Sequence, residues 1–442
     1  MSTAALERET IDLLTSQDAG ELLRLAVTGS APAAPAGRHA APSQGETIAD
    51  WTTEVDSVHH RPGAGVSVGY KVSYAVAGAE VNEYLVASTA EVPDAPGVAV
   101  LQDGVRTLRV WRRAQDPVLP GLERALDPAT VGQWLAEAGV GDGAPARVQL
   151  LSYRPTRRAV IRATTAERAT YLKVLPEKRA RRLERRHRLL TDAAGGAPAV
   201  LARPLPTVLV LAAAAGRPLA EAIAGARSHP GDLPGPLDVA AWLDALPAEV
   251  LDLGARSSWV DRIDFHADAA RGVLPEENVR IEAVEHGVRD LLDSRPVPPT
   301  VPTHGDFYEA NIFTSDGQVS AVIDLDSLGP GVREDDLATL LGHLAVLREL
   351  APRVYPHVDE LVDSWFTRLA ATCDPPSLAA RTAGVVLSLV AGTDHDQAVA
   401  RLRTAEDWLQ RAVRLAAEST APVAGSPLTG RAQPHPQRRE ER

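Results

Sequence analysis

Cysteine, methionine and lysine are nearly absent from this sequence. Cys373 stands alone, so no internal disulfide and no thiolate metal cluster can form, which fits a reducing compartment. Cys373 itself reads as a small residue packed in a helix. Basic charge is carried almost wholly by arginine, with lysine only at Lys71, Lys173 and Lys178. No apolar run approaches the ~18 residues of a membrane span. The N-terminus, MSTAALERETIDLL, is acidic and amphipathic rather than basic and then apolar, so no signal peptide is read. A cytoplasmic protein with no membrane partner is expected. An excess of positive charge is missing too: 58 acidic residues outweigh 46 basic ones, for a net charge of -12. Nucleic-acid phosphates need a basic surface, so no nucleic-acid partner is expected. The arginine-rich run from Arg179 to Arg188 reads as a solvated helix face.

What is present is a globular composition, 45% apolar over 442 residues, too long for one ordinary core. Residues 3–28 carry apolar positions at helical spacing, followed by an Ala/Pro-rich linker at about 30–46. From Trp51 to about Arg113 the signal is strands: VSVGYKVSYAV, VNEYLVAS, GVAVL and VRTLRVW, separated by short turns that suggest an antiparallel meander. A helix at about 128–138, with a proline in its first turn and a glycine at its end, closes that segment. A second group follows, with VQLLSYR, RRAVIRATT and ATYLKVL, the helix EKRARRLERRHRLLTDA, then AVLAR and TVLVLA. From Pro218 to about Glu418 nearly every segment is helical, and the last twenty or so residues read as a disordered tail.

The two strand groups run parallel as text. HHRPGAGVSVGYKVSYAV, NEYLV and the stretch ending DPVL match SYRPTRRAVIRATT, ATYLK and the stretch ending GRPL. The match puts Val86 where the second copy has Lys173, and the first copy has no room for the long basic helix. Either the first group is a degenerate duplicate of the second, or two unrelated antiparallel sheets share turn chemistry.

One island interrupts the helical half: VPTHGDFYEANIFTSDGQVSAVIDLDSLGPG. Two short apolar strands, Asn311 to Thr314 and Val319 to Ile323, flank the turn SDGQ, so a hairpin is expected. It gathers Asp306, Asn311 and Asp324 at one end, three oxygen-bearing side chains that suit a hard cation such as Mg2+. Asparagine occurs elsewhere only at Asn82 and Asn278, which makes the His-Gly-Asp…Asn spacing rare by chance.

On HGDFYEAN and VIDLD the sequence resembles the aminoglycoside phosphotransferase and choline kinase group, which has the protein-kinase-like fold; the resemblance covers about residues 146–418. It implies an α+β, bilobal architecture with an antiparallel-sheet small lobe (146–215) and a helical large lobe (216–418). A strand-rich cap (48–145) and N-terminal helices with their linker (1–47) precede them, and a tail (419–442) follows. It implies ATP and Mg2+ as cofactors and transfer of the γ-phosphate to a hydroxyl of a small polar metabolite or aminosugar antibiotic. Asp306 would be the catalytic carboxylate, supported by His304. Asn311 and Asp324 would hold magnesium, and Asp336 would brace the catalytic loop. Asp326 either coordinates metal or points away. Lys173 would grip phosphates, with Glu184 as its ion-pair partner and Glu177 as the weaker candidate. Backbone near Leu211 to Ala213 would meet the adenine, and the turn Arg154 to Arg158 takes the place of a glycine-rich loop over the phosphates. Two rivals stand beside this reading. One is a catalytically silent kinase-like protein that binds nucleotide or a partner. The other is a strand-rich binding module in which the island is coincidental.

Overall fold

Alternating apolar residues in the first half of the chain build two sheets, and helical periodicity in the second half builds a bundle. The computed structural model describes residues 3–29, 48–60, 63, 65–166, 168–192, 196–226 and 229–420. The linker expected at about 30–46 lies outside the described residues. So does the expected tail beyond Thr420, while Ser419 and Thr420 close the last helix. The chain divides into two compact units. One comprises Met1–Pro234, Ala241–Gly254 and Glu309–Pro330, and the other Gly235–Ala240, Ala255–Tyr308 and Gly331–Arg442.

The first unit opens with helices α1 (Thr3–Thr15) and α2 (Ala19–Gly29). Strands β1 (Ile48–His60), β2 (Val66–Val76), β3 (Ala79–Ser88), β4 (Ala99–Gln102) and β5 (Thr107–Arg112) follow. The plan then recurs: α3 (Leu122–Leu126), α4 (Pro128–Glu137), β6 (Arg147–Arg154), β7 (Arg158–Thr164) and β8 (Ala169–Val174). Helix α5 (Glu177–Asp192), β9 (Val200–Leu205) and β10 (Val208–Ala212) complete it. The sheets have the orders β1-β2-β3-β5-β4 and β6-β7-β8-β10-β9, antiparallel throughout. They are five-stranded sheets of one topology, each preceded by a helix pair, and only the second carries an inserted helix.

Each helix pair covers one face of its own sheet. Leu14, Leu23 and Val27 pack on Val68, Tyr70, Leu85 and Val110. Leu122, Val131 and Leu135 pack on Ile161, Leu172, Val174 and Val210 in the same manner. Because side chains alternate across a strand, the residues between these face the other way: Val86 and Trp111 in the first sheet, Lys173 and Leu211 in the second.

Three expectations about the sheets and their helices need correction. The first group is not a simple meander, since β5 inserts between β3 and β4. It also has a strand, β1, that was not anticipated. Most β1 side chains are exposed, so apolar alternation never marked it. Thirdly, α4 was assigned to the cap, but its buried Val131, Trp134 and Leu135 belong to the second sheet's core. Its ends follow the expected chemistry: Asp127 accepts from the Thr130 N–H, Pro128 opens the helix, and Gly139 turns out at φ 72°.

The hairpin of the island, Ile312–Ser315 with Gln318–Val322, turns at Asp316 and Gly317, both at positive φ, as a two-residue loop requires. It was expected in the large lobe but belongs to the sheet-bearing unit. The short β11 (Arg217–Pro218) pairs with its first strand, Ala220 donates to the Glu309 carbonyl, and Val322 donates to the Gly196 carbonyl. Helix α6 (Leu219–Gly225) follows β11.

The second unit is helical. Helix α7 (Pro236–Asp244) begins in it and ends in the first. Then come α8 (Ile263–Val273), α9 (Asn278–Asp293), α10 (Arg333–Leu350), α11 (Val358–Ala370), α12 (Pro375–Ser388) and α13 (His395–Thr420). Helix α12 is buried almost all round and touches α8, α9, α10 and α13, as an axial helix of a bundle must. No helix among the described residues is long and apolar enough to cross a membrane.

Helix α4 lies so close to the chain at Ala144 that a methyl group on Gly132 would sit 2.0 Å from the Ala144 carbonyl oxygen. Backbone cannot yield as a flexible side chain can. Gly132→Ala should therefore cost about 1–3 kcal/mol despite its better helix propensity. Chemical denaturation checks this; a variant as stable as the parent would contradict the packing described.

Candidate active site

The second sheet's open face, β10's end and the hairpin enclose a cavity of about 280 Å3. One wall is apolar, formed by Leu151, Val160, Tyr171 and the run Leu211 to Ala214. Arg158, Lys173, Asn311 and Asp324 also line the cavity. The structure thus brings Lys173, Leu211, Ala213, Asn311 and Asp324 to one place. A larger groove in the helical unit, about 690 Å3, is walled by charges that pair among themselves, such as Arg348 with Asp359 and Arg411 with Asp363.

Lys173 projects from the middle of β8, where both neighbouring strands fix its register opposite Val160 and Leu209. Its Nζ donates to Asp324 Oδ1 at 2.9 Å and to Asp326 Oδ2 at 3.2 Å. Burial alone would discharge this amine; the two carboxylates outweigh it and hold the ammonium pKa above its usual value. Burial likewise works to raise Asp324, but Lys173, Asp326 and the Arg158 guanidinium, 3.6 Å away, hold its carboxyl well below the usual range. Asp324 also adopts φ 62°, ψ 53°, a left-handed conformation that aspartate tolerates better than most residues. Asn311 is buried at the head of the hairpin, where its carbonyl accepts from the Ile323 N–H, so Asn311 and Asp324 meet at one end of the hairpin.

His304 and Asp306 lie in the helical unit. Asp336, at the start of α10, is fully enclosed. Its two oxygens accept from the His304 and Gly305 N–H groups, each at 2.7 Å. Burial pushes the Asp336 carboxyl up to about 7, against the pull of those two donors. The buried His304 ring accepts from the Asp306 N–H through Nδ1 at 3.3 Å. The loop carrying Asp306 is therefore fixed by a buried side chain below it.

Glu184 is the exception. It holds Arg188 at 2.7 Å and Arg203 of β9 at 3.4 Å, and Lys173 is satisfied by aspartates instead. Helix α5 offers arginines on the same side as Glu184, and the lysine's cavity is closed from the hairpin side. Glu177 is no substitute, since it pairs with Arg181. Asp326, left open by the sequence, points at Lys173.

His187 was not anticipated. It lies on α5, lines the cavity, and its Nδ1 is 2.8 Å from the Pro198 carbonyl, so Nδ1 carries the proton. Its Nε2 is buried and finds no partner among the described residues. One residue among many on a basic helix gave no signal of this.

The family model of the phosphotransferase enzyme family matches residues 124–358. This is more than half of the chain, which belongs to that family. Among solved structures, it is similar to a thermostable mutant of aminoglycoside phosphotransferase APH(4)-Ia in ternary complex with AMP-PNP and hygromycin B. That match has 17% identity and a TM-score of 0.44, covering 65% of this chain and 99% of that one. It is also similar to a choline/ethanolamine kinase family protein from Mesorhizobium loti, at 18% identity and TM-score 0.38, covering 61% and 92%. A third is choline kinase from Cryptosporidium parvum Iowa II, at 13% and 0.40, covering 62% and 91%. No curated protein matches the chain significantly.

Burial pulls His187 from the usual 6.5 down to about 4. The unfolded chain takes up that proton near 6.5 while the folded site refuses it. The contribution to stability is thus complete above about pH 6.5 and lost as pH falls toward 4, by up to roughly 3 kcal/mol. His187→Gln should flatten this part of the stability profile, measured by urea unfolding at pH 7 and pH 4.5. An unchanged difference between the two pH values would refute the assignment.

Proposed function

We propose that this phosphotransferase moves the γ-phosphate of ATP to a hydroxyl of a small polar molecule, a metabolite or an aminosugar. The observation that carries the reading is the cavity that joins a buried ammonium, Lys173, and the carboxylate of Asp324 to a slot walled by Leu211, Ala212 and Ala213. A flat apolar slot suits a base, and fixed positive charge beside it suits phosphates.

The donor set fits magnesium. Asn311 offers an amide oxygen and Asp324 a carboxylate kept ionised at neutral pH, and both residues line the cavity. Magnesium favours one or two such oxygens and completes its shell with water and substrate phosphates. When bound, the ion would neutralise charge on the phosphate oxygens. The remaining work falls to the chain. Lys173 and Arg158 supply positive charge to the triphosphate, and the carboxylates that now hold Lys173 keep it protonated and aimed into the cavity. Asp306, on the loop pinned by Asp336 and His304, orients the acceptor hydroxyl and takes its proton as the new O–P bond forms and the bond to the β-phosphate breaks.

Arg188 and Arg203 occupy Glu184, so the ion pair that steadies the lysine in this reading is Lys173 with Asp324 and Asp326.

An assay of ADP release over a panel of sugars, aminoglycosides and amino alcohols tests the reading. At least one acceptor should stimulate release. Asp306→Ala should lower that rate by at least ~10^2-fold with most ATP affinity retained. Asp324→Ala should instead weaken nucleotide binding. A panel that yields no acceptor-dependent release, or an Asp324 variant that binds ATP as tightly as the parent, would defeat it.

A further inference from the structure

The N-terminal sheet has no part in the cavity, yet it is built against the turn that borders it. That turn, Arg154 to Arg157, closes with the Arg157 N–H donating to the Arg154 carbonyl at 3.0 Å. Pro155 at its second position and a positive φ at its third, 61° at Thr156, are the pattern of a type II turn. Glycine or asparagine normally occupies that third position. A β-branched threonine there is strained, and such a conformation persists only where its surroundings enforce it.

The enforcing group is Asp116, in the connection that leaves the first sheet. Its side chain is almost wholly enclosed, at 1% exposure. Oδ2 accepts from the Thr156 N–H at 2.8 Å and from the Tyr153 hydroxyl at 2.8 Å, and Oδ1 accepts from the Val118 N–H at 2.9 Å. Trp111 of β5 donates its Nε1 to the same Tyr153 oxygen at 3.4 Å, and Tyr84 of β3 meets the Tyr153 ring edge-on. Trp111 sits on the sheet face that corresponds to the one bearing Lys173 in the second sheet. The first sheet therefore uses its equivalent face to seat Tyr153, at the foot of the turn. One residue beyond the turn, Arg158 reaches toward Asp324 in the cavity.

We propose that the N-terminal sheet is a brace for the 154–158 turn, and that Asp116 and Tyr153 are positioning residues which set Arg158 against the nucleotide phosphates without touching the nucleotide. This deepens the reading above and rests on it, since it takes the cavity to hold ATP. The brace works through geometry: a buried carboxylate fixes the one backbone N–H whose orientation the strained Thr156 would otherwise lose, and with it the path of the chain into β7.

Binding of ATP with magnesium, and of adenosine, to the full-length protein tests this. The variants are Tyr153→Phe, Asp116→Asn, Arg158→Ala and the double variant Asp116→Asn with Arg158→Ala. Tyr153→Phe and Asp116→Asn should each weaken ATP binding by roughly tenfold, the worth of one charge-assisted hydrogen bond, and leave adenosine binding unchanged. In the Arg158→Ala background the Asp116→Asn loss should shrink to less than about twofold, because the two act in series. Tyr153→Phe keeps the ring and its packing, so it carries the test if Asp116→Asn does not fold. Variants that bind ATP like the parent, variants that lose ATP and adenosine equally, or fully additive losses in the double variant would each overturn the brace while leaving the kinase reading intact. Failure of the parent to bind ATP would overturn both.

Discussion

The cavity depends on one buried cation. Lys173 is the one buried lysine of the two sheets, since Lys71 of β2 is exposed, and its ammonium is almost cut off from water. An isolated ammonium in that position would give up its proton. Two aspartates from one short segment, Asp324 and Asp326, keep it charged, and in doing so tie the sheet to the hairpin that bears Asn311. A pair of this kind contributes little net stability once desolvation is counted. Its value is positional, because it holds a full positive charge and a full negative charge side by side at the end of an apolar slot. That arrangement is costly unless a polyanion with its counter-ion uses it, which is why the cavity, and not the larger groove in the helical unit, carries the functional reading.

Most of what surrounds Lys173 serves to keep its neighbours from moving. The left-handed Asp324 and the left-handed Thr156 are both non-glycine residues in a conformation that side chains disfavour. Asp324 is held by its ion pairs. Thr156 is held by Asp116, a group from the far side of the sheet interface. Asp336 is related to Asp116, a buried carboxyl spending both oxygens on backbone N–H groups to fix a loop. In each case a buried carboxyl is tolerated because its oxygens find donors, and the result is a backbone segment with one conformation.

Much of this was legible in the sequence, and the boundary between what was and was not is physical. The hairpin and the meeting of Asn311 with Asp324 could be read because they follow from local covalent geometry: a two-residue turn of Asp316 and Gly317 leaves little choice of register. The strands of both sheets were legible by their alternation, except β1, which is solvated on most positions. Partners chosen across the fold were not. Glu184 was matched to Lys173 through the family resemblance, yet which group a helical carboxylate meets depends on how the helix is rotated on its sheet. Likewise, α4 follows the first sheet in the chain but covers the second, and nothing in PATVGQWLAE says which. Nothing in the sequence marks Asp116 or Thr156, since strain and enclosure exist only once the fold does.

The shared topology of the two sheets bears on why a sheet without a buried lysine is kept at all. In the second sheet the face away from the helices is left partly open and becomes the cavity wall. In the first, the corresponding face carries Val86 and Trp111, both buried, and is closed by Tyr153. A sheet with one covered and one bare apolar face would need a partner for the bare one. Placing that face against the foot of the 154–158 turn meets the need of the sheet and the need of the turn together. The same face turns polar farther along, where Lys71 of β2 is exposed, so the buried aromatic patch is confined to the end that meets Tyr153. The buried aromatic face is therefore better explained as an anchor for the neighbouring turn than as the remnant of a second binding site, since an empty site would have no reason to fill itself with tryptophan.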